Sequence, residues 1–312
     1  MGLRERTPPT AEEYAEYRTR FSNWGRWGDD DDFGTLNFVT PEVRRDAARL
    51  VREGRVISCS RPIDTHSGPA NPYPARHLVA VRDSGEMADF LSMFVHGFAD
   101  THLDALCHLA TFDGGVTWNG KPLDGYHMPT EHTGTIDFWR DGIVTRGVLY
   151  DIPRLRGTAC VEPGAPVHGW ELADAAAAQA VEPRAGDAVL IRSGYARYFE
   201  THGGQPSFLS PAGVHASCIE YLYEHDASML VWDMQDAPIE DQGIPNPRDI
   251  RVPLHVHAVV IPYMGMPILD NADFEPLADA CAELGRWEFQ FVVAPLVIPR
   301  ATGSPVNPLA IL

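Results

Sequence analysis

The segment FVHGFADTHLDALCHL, residues 94–109, places His96, Asp100, His102, Asp104 and His108 among residues that are otherwise apolar or small. Burying such groups without partners costs about 2–7 kcal/mol for a polar group and more for a charge. Either the segment is a solvated edge, or something binds those groups. His102 and Asp104 are two residues apart, so on an extended strand both point to the same face. Asp104 and His108 are four apart, which brings them together on a helix. A strand ending near Asp104 and turning into a helix would aim all three at one point. Neutral imidazole with carboxylate suits zinc, manganese or iron(II), and two or three such ligands leave a position for water. An isolated HxDxxxH also recurs by chance, and then its histidines are hydrogen-bonded core or surface groups.

The surroundings favour the metal. THLDALCH, followed by DGGVTWNGKP, resembles the signature of the cyclase family of metal-dependent hydrolases, to which bacterial kynurenine formamidase and isatin hydrolase belong. NWGRWGDDDDFGTLNFVTPE, DGIVTRGVLYDI and TGSPVNPLAIL look like the longer members, so the resemblance covers nearly the whole chain. It implies a compact α/β domain with a twisted mixed β core, assembled as a homodimer or homotetramer with the metal near the subunit contacts. It also implies attack of a metal-activated water on an aryl formamide or a cyclic amide.

In the formamidase pattern, His-x-Gly-Thr-His-x-Asp with a further His four residues on, His102 matches the second metal histidine and Asp104 the metal carboxylate. His108 matches the proton-transfer histidine. The first metal histidine falls on Phe98 and the motif glycine on Asp100, a departure from the pattern. His96 is the candidate replacement, since HG also precedes THLDA in the longer members. Positions 96 and 98 share a strand face but lie about 6–7 Å apart along it, so a bulge or loop must bring His96 inward. Phe98 is then free to form an apolar wall for a flat substrate.

A second constellation lies in VPLHVHAVVIPYMGMPILDNADFEPLA. It resembles the family segment in which a His is followed by GxxILEN and a helix, the Glu being a metal ligand. His257 matches that histidine and Asp270 occupies the Glu position with a shorter side chain. Alternatively Asp270 and Asn271 only turn the chain into the next helix. His255, one pleat from His257, reads as a pocket residue or second proton-transfer candidate. His127, His132, His168, His202, His215 and His225 read as solvated. Trp24, Trp27, Phe33, Trp118 and Tyr126 read as packing residues that could line an aromatic pocket. Ser193 has no GxSxG elbow around it.

The elements that must position these groups follow from pattern. TPEVRRDAARLVREG reads as a helix with Thr40 as N-cap, Pro41 at N1 and Gly54 past its end. Further helices fit WELADAAAAQAV, SPAGVHASCIEYLYEH (Ser210 cap, Pro211 at N1) and NADFEPLADACAELG. Strands fit RVISCSRPI, HLVAVR, FLSMFVHG, RGVLYDI, DAVLIRSG, SMLVWDM and EFQFVVAPLVI. Strands outnumber helices in mixed order, so the expectation is one α/β domain around a β core, residues 35–312, behind an N-terminal arm or extended loop over 1–34. The acidic run Asp29–Asp32 lacks EF-hand spacing and reads as a solvated turn.

The 312 residues carry a net charge of −18, from 43 acidic against 25 basic residues, which opposes nucleic acid and anionic membrane as partners. GxGxxG and the P-loop motif are absent. Five scattered cysteines read as reduced thiols, and with no signal-like or membrane-length apolar stretch the expectation is a soluble cytoplasmic protein. The whole reads as a hydrolase with Zn²⁺ or Mn²⁺ acting on a small amide, lactam or related ester. A lyase or cyclase on a phenolic or polyketide-like substrate, and an inactive binding protein, are the alternatives.

Overall fold

The structure, a computed structural model, describes residues 2–122, 134–202, 212–246 and 252–312. His127, His132, Tyr126, Ser210 and Pro211 lie outside the described residues. Eleven strands are described: β1 Val56–Ser58, β2 Arg76–Val81, β3 Met87–Ser92, β4 His102–Asp104, β5 Ile143–Asp151, β6 Ala188–Arg192, β7 Met229–Trp232, β8 Ile268–Asp270, β9 Glu288–Val293, β10 Gly303–Pro305 and β11 Leu309–Ile311. Nine form one mixed sheet in the order β1-β11-β9-β5-β6-β7-β8-β4-β10, and β2 and β3 form a separate hairpin.

The centre of the sheet, β5 to β8, is parallel, and antiparallel strands extend it on both sides. Strands buried on both faces need apolar residues at successive positions. Alternate residues of β5, β6 and β7 accordingly enter two cores. Val148, Tyr150, Val189, Ile191, Leu230 and Trp232 pack on one side. Leu149, Leu190 and Val231 pack on the other, against Phe289, Phe291 and the helix Glu275–Leu284. This is the expected single α/β domain with a mixed β core and flanking helices.

The first 34 residues are no loose arm. Thr10 and Glu13 form a capping box that starts a helix over Ala11–Arg20. Its Tyr14 and Tyr17, with Phe21, are buried in the first core. The acidic run is a turn, but a knitted one: Asp31 accepts from the backbone of Gly34, the Asn37 amide and the Trp118 indole. The helix capped by Thr40 ends at Ala48, earlier than its sequence suggests, and the helix over Cys218–Glu224 begins later. All five cysteines are free and buried. No helix among the described residues is long and apolar enough to cross a membrane.

Candidate metal centre

Three-residue strands set the site. In β4, His102 and Asp104 face one way while Leu103 faces the second core. β8 runs antiparallel beside it with His102 opposite Asp270 and Asp104 opposite Ile268, so sheet register alone brings both carboxylates and one imidazole to one face. His102 Nε2 stands 3.6 Å from Asp104 Oδ1 and 3.6 Å from Asp270 Oδ2. His257 arrives from a helical turn, with Nε2 3.4 Å from Asp270 Oδ2 and 3.8 Å from Asp104 Oδ2.

His96 enters by a loop, as its spacing requires. After β3 the chain bends through residues 95–100 instead of remaining extended, and Gln235 and Asn271 hold that loop through the Gly97 carbonyl. His96 Nδ1 then lies 2.8 Å from Asp104 Oδ1. Residues 105–108 form a turn closed by His108 N–H to the Ala105 carbonyl, not the expected helix. The turn still delivers His108, with Nε2 3.6 Å from Asp104 Oδ2 and its ring stacked on His96 at 3.7 Å.

His96, His102 and Asp104 form one cluster of donors, and Asp104, His257 and Asp270 a second that shares the same carboxylate. Two donors each about 2.1 Å from one ion sit roughly 3.4 Å apart across a tetrahedral angle, close to the 3.4–3.8 Å separations at His102 and His257. Asp104 Oδ2 is buried without a hydrogen-bond partner, an uncommon state for a buried carboxylate oxygen. A divalent cation suits that oxygen and these donors.

Each histidine is held from behind, and at His102 and His257 an acceptor on Nδ1 leaves Nε2 as the nitrogen presented. His102 Nδ1 donates to the Asp100 carbonyl at 2.8 Å. His257 Nδ1 donates to Asp236 at 2.5 Å, and Asp236 also accepts from the Val256 backbone. His96 Nε2 is bonded to the Thr302 hydroxyl at 2.9 Å. The Trp232 indole and the Gln235 amide steady Asp270.

The charges respond to this crowding. Burial alone would raise Asp104, but the imidazoles of His108 and His96 outweigh it and hold the carboxyl well below the usual range. Burial likewise depresses His257, yet Asp270 and Asp236 overcome it and lift it well above its ordinary value. His108 goes the other way, pushed down to about 3 by burial in spite of Asp104. It is neutral at physiological pH.

Above the donors lies a cavity of about 550 Å³, lined on its apolar side by Tyr73, Phe94, Phe98, Val252 and Leu254, with His108 and Gln235 at its polar end. Phe98 is therefore a wall residue. His255 is not: its Nε2 donates to the Ile244 and Pro245 carbonyls and its ring rests against Tyr14. Residues 255 and 257 share no strand face, because the chain turns into a helix at His257, where residues two apart diverge by about 200°. Trp24, Trp27, Phe33 and Trp118 do not line the cavity either. Gln235 and Asp236, in WDMQD, escaped the sequence reading. Their signal was position, since polar groups just past the carboxyl end of a buried parallel strand sit where α/β sheets place ligands.

Residues 57–237 match the model of the family described as "Putative cyclase". The chain belongs to the cyclase family. The crystal structure of another cyclase of this family superposes with a TM-score of 0.79 at 27% identity, covering 95% of this chain and 99% of that one. An isatin hydrolase bound to the product analogue thioisatinate gives a TM-score of 0.55 at 17% identity, over 85% and 94%. Isatin hydrolase A from Labrenzia aggregata, bound to benzyl benzoate, gives 0.52 at 16%, over 85% and 94%. These two share the family fold. No curated protein matches the chain.

Proposed function

We propose that this cyclase-family member is a metal-dependent hydrolase that cleaves an amide-type bond in a flat, largely apolar substrate: an aryl formamide, a lactam or a related cyclic amide or ester. The observation that carries this reading is the buried, unpartnered oxygen of Asp104, shared by two donor clusters beneath an apolar cavity. Zn²⁺ or Mn²⁺ would be held by His96, His102, Asp104, His257 and Asp270. Such an ion supplies a Lewis acid for the carbonyl and makes water nucleophilic near neutral pH. Phe98, Phe94 and Tyr73 hold the flat substrate and exclude bulk water. Neutral His108, at the cavity edge beside Asp104, accepts a proton from the attacking water and returns it to the leaving nitrogen or oxygen.

The test is purification without added ions, elemental analysis, and turnover of an aryl formamide, isatin and an aryl ester in H₂¹⁸O. About one equivalent or more of zinc or manganese per chain and ¹⁸O in the product are expected. A metal-free protein that gains no thermal stability from either ion would overturn the reading, and turnover without ¹⁸O would make it a lyase or cyclase.

We also propose a homodimer through the β2–β3 hairpin. Leu78, Val79, Val81, Met87, Phe90 and Leu91 are exposed on its two faces, and Tyr73 and Phe94 extend the patch to the cavity mouth. A lone two-stranded hairpin is marginal in water. Val79, Val81, Met87 and Leu91 share one face of the hairpin and Leu78 and Phe90 the other, so the larger apolar face is the one a partner copy covers. Arg76, Arg82, Asp83, Glu86 and Asp89 give the hairpin both signs of charge, as a surface that meets its own copy requires. Sedimentation velocity should show a dimer that Val81→Asp with Met87→Asp, on the larger apolar face, converts to a folded monomer. A monomeric wild type at micromolar concentration would exclude it.

A further inference from the structure

Gly303 opens β10, with Thr302 just before it, and β10 pairs with β4 so that Gly303 lies opposite Asp104. The Thr302 carbonyl accepts from the Ala105 backbone, which fixes the segment against the turn that carries His108. Its hydroxyl is 2.9 Å from His96 Nε2, while Nδ1 of the same ring is 2.8 Å from Asp104. A side chain at Gly303 would begin 2.7 Å from His96 Cε1 and 2.7 Å from the Leu103 carbonyl, so the ring occupies space that only glycine leaves open. His96 has no strand of its own to orient it.

We infer that Thr302 is the positioning residue that makes a loop-borne His96 a ligand in place of the histidine missing at Phe98, with Gly303 giving its ring room. The inference rests on the metal centre proposed above. An ionised carboxylate only accepts, so in the arrangement seen here the His96 proton is on Nδ1, and Nε2 accepts from the Thr302 hydroxyl. A ring that offers Nδ1 to an ion carries its proton on Nε2 instead. A hydroxyl serves both states, as donor in the first and acceptor in the second. A backbone carbonyl serves only the second, and valine neither.

The test compares wild type with Thr302→Val, Thr302→Ser and His96→Ala by two readouts. The first is zinc affinity, from competition with a chromophoric chelator. The second is the ring nitrogen spectrum of metal-free protein labelled at histidine, with the His96 signals assigned by their loss in His96→Ala. Thr302→Val should weaken zinc binding 10–100-fold, the usual effect of removing a partner behind a ligand, and should shift the His96 Nε2 signal by loss of its hydroxyl donor while Nδ1 stays protonated on Asp104. Thr302→Ser should restore both. In the His96→Ala background, Thr302→Val should cost no further affinity. Unchanged His96 signals and zinc affinity within twofold in Thr302→Val would overturn the inference, as would an equal further loss in the double variant. A wild type that binds no zinc, with His96 signals that still respond to Thr302→Val, would remove the metal centre and leave the positioning contact standing. If Thr302→Val does not fold, Thr302→Ala carries the same expectations.

Discussion

At the level of single residues, Asp104 is the carboxylate that both donor clusters share. Its Oδ1 is engaged by His96 while Oδ2, facing His108 and His257, has no hydrogen-bond partner. His108 touches that oxygen from the cavity side, and among the described residues no hydrogen bond holds its other ring nitrogen as Thr302, Asp100 and Asp236 hold those of the three proposed histidine ligands. His108→Ala should therefore keep the metal content of wild type and lose 10²–10⁴-fold in turnover, the range for an acid–base group. Metal loss in that variant would make His108 a ligand. Asp236→Asn should act oppositely, weakening metal affinity about 10–100-fold with little change in cavity shape, since an amide holds the tautomer of His257 less firmly than a carboxylate. Chelator competition on the two variants separates these roles. His102, Asp104 and His108 were legible in the sequence because β4 and the following turn keep them close along the chain. Asp236 and Thr302 were not, because their partners are 21 and 206 residues away.

At the level of elements, legibility followed burial. β5, β6 and β7 are covered on both faces and read as apolar runs. β4, β8 and β10 are three residues long, too short for a period, and their pairing depends on partners distant in sequence. The first helix was missed for a related reason. Its buried residues, Tyr14 and Tyr17, are aromatics three apart in a strongly charged stretch, so its amphipathic signal is thin. Tertiary contact supplies what periodicity lacks: Phe21 packs edge-on against Tyr17 at 4.6 Å and beside Tyr223 at 5.3 Å. Phe21→Ala should cost about 3–5 kcal/mol in denaturant unfolding, the range for truncating a buried aromatic. A loss below about 1 kcal/mol would return this segment to the status of a detachable arm.

At the level of the whole molecule, the chain should lose stability in mild acid, and a histidine far from the metal centre carries part of that loss. His215 is buried, with Nε2 donating to the Gln242 carbonyl at 2.8 Å and Nδ1 accepting from the Ser217 backbone at 2.9 Å. Both nitrogens are satisfied by one neutral tautomer, and a second proton would point at the Ser217 N–H. Burial first, and the neighbouring His168 second, hold His215 down at about 4. In the unfolded chain the imidazole titrates near 6.5. Between those values the unfolded state binds the proton and the folded state does not, so the stability of the fold rises with pH across this window and falls as pH drops through it. From pH 7 to pH 5 the single group accounts for roughly 2 kcal/mol by proton linkage. Denaturant unfolding of chelator-treated protein isolates the effect from acid release of metal. His215→Gln should be less stable than wild type at pH 7, yet lose less on going to pH 5, and the two stability curves should converge towards pH 4. Parallel curves for the two proteins would show that His215 takes up its proton in the fold as readily as in the unfolded chain, and would overturn the depressed value.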